Sequence, residues 1–218
     1  MYEEYTVLAF RYTATLKNVW QDILWAFQRK DEHSCEKCKV QKAMDNMWNS
    51  IRDYSLDDLQ RASHTGRLII TGISLGGALT CLSYIDIAHA QIFDNIELVT
   101  FGAPRVGNKH WAAWFDQQTP STRYYIKNDP IAALPICLTP ICTYRQTGTP
   151  VKCNMKSESC QALLSEEPYE FDVSEALEAV SSGVWEHISH GEEEEENVGG
   201  IIDHIVGYKK LRDFTLVE

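Results

Sequence analysis

Residues Leu68 to Ala90 read LIITGISLGGALTCLSYIDIAHA, and the reading of this stretch decides the fold. A short apolar run (Leu68, Ile69, Ile70) leads into Gly72-Ile73-Ser74-Leu75-Gly76-Gly77, and a helix-like pattern follows. Strand, sharp glycine-flanked turn with a central serine, then helix is the context of a nucleophile elbow. Gly72 and Gly76 must lack a Cβ there, because strand and helix backbones approach closely around a strained serine. Taken alone, the same residues also describe a glycine-rich turn after a buried strand. The remainder of the chain separates the two readings.

Bulk properties exclude several classes. The chain has 218 residues, enough for one domain (1–218) with a sizeable core. Hydrophobic residues make up 44% and charged residues 23%, a globular balance rather than a disordered one. A formal net charge of -11 argues against nucleic acid as a partner and against strongly anionic lipid surfaces. No apolar run reaches the roughly 18 residues a transmembrane helix needs. The N-terminus, MYEEYTVLAF, lacks the basic start and long apolar core of a secretory signal. The expectation is a soluble chain, cytoplasmic if this N-terminus is native and secreted if a leader was removed. Seven cysteines leave the redox state open. Cys35 and Cys38 have the spacing of a zinc or redox pair, with His33 nearby. Cys137, Cys142, Cys153 and Cys160 crowd one loop-like region, so free thiols, one or two disulfides and a structural metal all remain possible.

Ahead of the elbow, Tyr5 to Arg11 reads as a short buried strand. Leu16, Val19, Trp20, Ile23, Leu24 and Phe27 recur at helical spacing, which predicts an amphipathic helix over Leu16 to Arg29. Lys30 to Lys39 reads as a loop. Val40, Met44, Met47, Trp48, Ile51 and Tyr54 form a second helical stripe, and Ser55-Leu56-Asp57-Asp58 punctuates it before a short polar helix. Beyond the elbow, Ile96 to Phe101 is a buried strand, Trp111 to Gln118 a helix and Thr122 to Ile126 another strand. Thr143 to Tyr169 suggests two short strands and loops. Ser174 to Ser182 and Asp203 to Phe214 suggest helices, and the five glutamates of Glu192 to Glu196 a solvated loop. Buried strands alternating with helices indicate an α/β fold with a largely parallel central sheet flanked by helices.

A serine hydroxyl is a poor nucleophile near neutral pH and needs a base, itself oriented by an acid. On an elbow of this kind the partners follow in the order Ser, Asp or Glu, then His. Asp129 lies just past the Thr122–Ile126 strand, where ligand sites of such sheets form, although an Asp-Pro pair is also an ordinary turn former. His64 and His110 come too early in the chain. His187, His190 and His204 remain, and His204 has the apolar neighbours Ile201, Ile202, Ile205 and Val206 that could hold its ring in a semi-buried niche.

Four blocks then carry a resemblance. Gly72-Ile73-Ser74-Leu75-Gly76-Gly77-Ala78-Leu79 is similar to the G-H-S-L-G-G-A-L elbow of the class 3 lipase family, with Ile73 in place of histidine. Phe101-Gly102-Ala103-Pro104-Arg105-Val106-Gly107-Asn108 resembles its F-G-x-P-R-V-G-N block. Arg123 to Pro135 resembles its acid segment, and Ala9-Phe10-Arg11-Tyr12-Thr13 its A-F-R-G-T oxyanion strand, with Tyr12 in place of glycine. Val40-Gln41-Lys42-Ala43-Met44 is a remnant of its V-H-x-G-F stretch.

This resemblance implies an α/β-hydrolase, shortened at the N-terminus, that hydrolyses carboxylic esters of lipids without a cofactor or metal. It implies Ser74 as nucleophile, Asp129 as orienting acid, and Thr13 with the backbone N–H of Leu75 as oxyanion donors. His204, in His204-Ile205-Val206-Gly207-Tyr208, is the implied base, with a spacing one residue longer than the family's H-x-x-Y. Leu16, Val19, Trp20 and Ile23 would lie on the lid, which would contact a lipid interface on opening. A phospholipase A1-type esterase is the rival within the enzyme class. The rival from outside it is a catalytically inactive lipase-like module that binds lipid or protein.

Overall fold

The computed structural model describes residues 5–11, 27–62, 66–126, 129, 131–135, 143–154, 157, 159–163 and 215–217. Two sheets organise them. The larger has seven strands in the order β1-β4-β5-β7-β9-β10-β11: β1 Thr6–Phe10, β4 Arg67–Ile73, β5 Asn95–Phe101, β7 Ser121–Ile126, β9 Thr149–Asn154, β10 Ser159–Ala162 and β11 Thr215–Val217. The run from β1 through β9 is parallel, so the C-terminal ends of these strands share one edge. β10 returns antiparallel to β9, and β11 lies parallel to β10. The smaller sheet, β2-β3-β6-β8, is antiparallel and built from β2 Gln28–Lys30, β3 Lys39–Gln41, β6 Gly107–Asn108 and β8 Tyr144–Arg145. The helices are α1 Lys42–Ala62, α2 Leu75–His89 and α3 Lys109–Phe115.

Alternation along the strands decides which face is covered. In β4, Leu68, Ile70 and Gly72 are buried while Ile69, Thr71 and Ile73 are half-buried. The first set packs with Met44, Trp48 and Leu59 of α1, with α2, and with Trp111 and Phe115 of α3 in the main core. α2 is apolar nearly all round, with eleven of its residues buried, as a helix between a sheet and another helix must be. On the second face Ile73, Phe101 and Tyr124 pack against Ile126, Val151, Cys153 and Cys160, and the Phe101 and Tyr124 rings stack 5.1 Å apart.

Several expectations need correction. The second helical stripe does not break at Ser55: α1 runs through it for 21 residues, and the Ser55 hydroxyl donates to the Ile51 carbonyl within the helix. Burial of Met44, Trp48 and Leu59 on one face outweighs the local punctuation. Gln28 and Arg29, placed in a helix by the sequence, belong to strand β2, and the rest of that expected helix through Ala26 lies outside the described residues. Within the expected loop at Lys30 to Lys39, Lys30 and Lys39 are strand residues that pair with each other. α3 ends at Phe115, not Gln118. Among the described residues between Thr143 and Tyr169 there are three strands, not two. The expected helices over Ser174 to Ser182 and Asp203 to Phe214, and the glutamate run, lie outside the described residues.

The cysteine alternatives are settled in favour of disulfides for two pairs. Cys35 is bonded to Cys38, and Cys153 to Cys160, the latter directly opposite each other on β9 and β10. Cys81 is a free thiol, fully buried in α2. Among the described residues no group of His, Cys, Asp and Glu is arranged to hold a metal ion, and no helix is long and apolar enough to cross a membrane.

Candidate active site

The sharp turn expected between strand and helix is present. β4 ends at Ile73, α2 starts at Leu75, and Ser74 between them has φ 58° and ψ -128°. A positive φ on a residue with a Cβ costs roughly 1–3 kcal/mol and persists only where surrounding contacts hold it. Two backbone hydrogen bonds do so: Ser74 N–H donates to the Phe101 carbonyl at 2.8 Å, and its carbonyl accepts from Gly77 N–H at 2.9 Å. The side chain makes no capping hydrogen bond to its own helix, and the residue is 4% exposed. Leu75, fully buried, opens α2, so its N–H is among the amides that a helix's first turn leaves without an intrahelical acceptor.

Three glycines allow the close approaches around this turn. A Cβ on Gly72 would lie 2.3 Å from the Gly76 carbonyl carbon, and one on Gly76 would lie 2.2 Å from the Phe10 carbonyl oxygen. A Cβ on Gly77 would lie 2.7 Å from the Ala103 Cβ. The Gly76 contact seats the end of β1 directly on the first turn of α2. Thr13, expected to supply an oxyanion donor, follows two residues after Arg11 and itself lies outside the described residues.

Asp129 is 3% exposed and sits just past the end of β7. Its N–H donates to the Ile126 carbonyl at 3.2 Å, and its Oδ1 accepts from Ile131 N–H at 2.9 Å, an Asx-type turn that fixes the carboxylate's direction. Register ties it to the serine: Ile73 pairs with Phe101, and Phe101 with Tyr124, so both turns leave the same edge of the sheet. Two strand spacings, about 10 Å, separate β4 from β7. His204 and the expected lid residues Leu16, Val19, Trp20 and Ile23 lie outside the described residues.

Further side chains tie together the segments around these two turns. Asn108 caps α3, accepting from Trp111 N–H at 2.9 Å and from Lys39 N–H at 3.3 Å while donating to the Lys37 carbonyl at 2.9 Å. It thereby ties the Phe101–Asn108 block to the disulfide-closed Cys35–Cys38 loop. Gln41, fully buried, donates its N–H to the Val106 carbonyl and accepts from Met44 N–H on Oε1. Gln146 Nε2 donates to two carbonyls, Ala103 at 2.9 Å and Ala132 at 2.7 Å. Nothing in the sequence around it marked Gln146, because its significance depends on contacts 43 and 14 residues away. Tyr144, two residues earlier, has its phenol pKa pushed up by burial, and its hydroxyl donates to the Phe27 carbonyl at 3.3 Å. A separate groove of about 860 Å³ lies between α1, α2 and the β2–β3 loop, lined by Arg29, Asp45, Trp48 and Asp86 among others, and includes neither Ser74 nor Asp129.

A parallel sheet with a strained serine between strand and helix, and a carboxylate past a later strand of the same edge, defines the α/β-hydrolase class. Comparison with known proteins narrows this. The profile for lipase (class 3) matches residues 7–139, more than half of the chain, and the chain belongs to that family. It is 31% identical over 121 residues to the secreted mono- and diacylglycerol lipase 2 of Gibberella zeae, an overlap covering 48% of this chain and 29% of that protein. Lipase A of Sodiomyces alcalophilus is 26% identical over 165 residues, covering 61% of this chain and 40% of the relative. The chain thus spans less than half the length of either relative. Among solved structures, the Rhizomucor miehei lipase propeptide complex superimposes with a TM-score of 0.62 at 21% identity, covering 80% of this chain and 55% of that one.

Proposed function

We propose that this chain hydrolyses carboxylic esters of lipids, as an acylglycerol lipase or esterase working through an acyl-enzyme. The observation that carries the reading is Ser74 itself: a buried serine held at positive φ on a glycine-lined elbow, level in the sheet with the turn that presents Asp129. Strain of this kind has a reason where a hydroxyl must be aimed at a substrate. The names of the Gibberella and Sodiomyces relatives point to acylglycerols and lipids as the substrate class.

His204 is the base in this reading, and the sheet's order supports it. Thr215 pairs with Ser159, which pairs with Asn154, one residue beyond the Cys153–Ile126 pair. The chain therefore enters β11 from the edge at which Ser74 and Asp129 leave theirs. Five strand spacings, roughly 24 Å, separate β11 from β4. Ten residues lie between His204 and Thr215, and the eleven Cα-to-Cα steps reach up to about 36 Å, so the histidine can return to the serine.

In the reaction, His204 removes the Ser74 proton as the hydroxyl attacks the ester carbonyl, and Asp129 holds the imidazole in the competent tautomer. The oxyanion is stabilised by Thr13 and by Leu75 N–H, two donors worth a few kcal/mol together. His204 then protonates the leaving alcohol, and water clears the acyl group. Leu16, Val19, Trp20 and Ile23 would meet the lipid interface as the lid opens. The test is Ser74→Ala assayed on short-chain nitrophenyl esters and on emulsified acylglycerol, with fluorophosphonate labelling of the unmodified chain. Loss of turnover in the variant and labelling at Ser74 are expected. Full activity in the variant, or an unlabelled Ser74, sinks the mechanism and favours an inactive binding module.

A further inference from the structure

We infer that Gln146 is a positioning residue that clamps the nucleophile side of the site to the acid side, an inference that rests on the hydrolase reading above. Two backbone segments meet at this side chain. Ala103 follows β5, and a Cβ added on Gly77 of the nucleophile helix would lie 2.7 Å from the Ala103 Cβ. Ala132 lies three residues past Asp129, in the turn that begins with the Ile131 N–H bond to the Asp129 carboxylate. Gln146 Nε2 donates one hydrogen to each carbonyl, at 2.9 and 2.7 Å.

Both acceptors being carbonyls, only the amide nitrogen can face them, which fixes the orientation of the side chain. A primary amide is suited to this place: two hydrogens on one planar nitrogen, splayed apart, reach two acceptors without bringing in a charge. A glutamate offers acceptors only, and a leucine of similar volume offers nothing. The segment that carries Gln146 is itself immobilised. Tyr144 and Arg145 pair with Asn108 and Gly107, Arg123 Nε donates to the Thr147 carbonyl, and Gly148 N–H donates to the Asp116 carboxylate. The Arg105 N–H bond to the Leu134 carbonyl, at 2.6 Å, runs alongside as a second tie between the same two loops.

Such a clamp controls the Ser74-to-Asp129 separation, and an imidazole between them tolerates little error. Displacement by about 1 Å can cost roughly a hundredfold in rate. Gln146→Leu is therefore expected to lower kcat about 10- to 100-fold with KM within about twofold, because triad alignment is lost. A merely structural role would lower the melting temperature and leave kcat unchanged well below it.

The experiment pairs steady-state kinetics with amide hydrogen exchange on the unmodified chain, Gln146→Leu, Gln146→Glu and Ser74→Ala. Exchange of the Ile131 and Arg105 amides should accelerate about tenfold or more in both Gln146 variants while amides of α2 keep their protection. Unchanged kcat in Gln146→Leu, or unchanged exchange at Ile131 and Arg105, overturns the clamp. Should the unmodified chain show no Ser74-dependent turnover, the hydrolase reading fails separately, and exchange alone then decides whether Gln146 joins the two loops.

Discussion

Gly76→Ala sets two opposing effects of known sign against each other. Gly76 is a helical residue in the first turn of α2, and in an unhindered helix alanine would be favoured there by about 1 kcal/mol. Here the added Cβ falls 2.2 Å from the Phe10 carbonyl oxygen, 2.8 Å from its carbon and 3.0 Å from the Arg11 carbonyl oxygen. A relaxed carbon–oxygen contact is roughly 3.3 Å or more, so the two backbones must part by about 1 Å. Neither yields freely. β1 is held to β4 in the register Phe10 to Gly72, and the start of α2 is held by the Ser74 N–H bond to Phe101.

Overpacking of this kind costs typically 1–3 kcal/mol, and rigid backbone on both sides places it at the upper end. The net expectation is destabilisation by about 1–2 kcal/mol, since the clash exceeds the gain in helix propensity. The functional loss should be larger than the stability loss suggests. The segment pushed away leads within two residues to Thr13, so kcat should fall about a hundredfold if Thr13 supplies an oxyanion donor. Urea unfolding gives the first quantity, and turnover of nitrophenyl butyrate the second. Stabilisation by about 1 kcal/mol with unchanged turnover in Gly76→Ala would show that the contact between β1 and α2 is not tight, and the reasoning would fail.

Two further outcomes follow from single residues. Ser74→Gly removes the Cβ that makes φ 58° costly, so it should raise stability by about 1 kcal/mol while abolishing ester hydrolysis; a melting temperature below that of Ser74→Ala would contradict the strain. Burial raises the Cys81 thiol pKa to about 12, against an opposing hydrogen bond with Thr147. The unfolded chain therefore loses this proton first as pH rises, so the contribution is intact below pH 9.0 and declines between there and about 12. The slope from Cys81 should be up to about 1.4 kcal/mol per pH unit, and urea titrations of Cys81→Ala across that window should be flatter than those of the unmodified chain.

The elbow was legible in the sequence because its causes are local. Glycines at 72, 76 and 77 around a serine state a steric requirement, and the structure meets it with three separate close approaches. Asp129 was legible for a related reason, since an aspartate followed by proline after a strand has few places to go. What stayed illegible depends on register or distant contacts. The Cys153–Cys160 bond follows from those residues standing opposite each other on antiparallel strands, which spacing alone does not specify. The small sheet uses strands of two or three residues, too short for any period to show. Gln146 carried no local mark at all, and Ser55 carried a misleading one.

The most conspicuous departure from the family's pattern is Ile73 in place of histidine, and the geometry limits its consequence. Gly72 faces the helices and Ser74 turns away at the apex, which leaves Ile73 on the second face of the sheet. There it packs in the cluster of Phe101, Tyr124, Ile126 and Val151, with Phe101 its partner in register. None of the close approaches at Gly72, Gly76 and Gly77 involves its side chain. The residue before Ser74 therefore contributes to apolar packing behind the sheet, whereas the elbow is shaped by the glycines on the other side. Exchanging a histidine for an isoleucine at this position changes what lies behind Ser74 and leaves intact the contacts that force it into its strained turn.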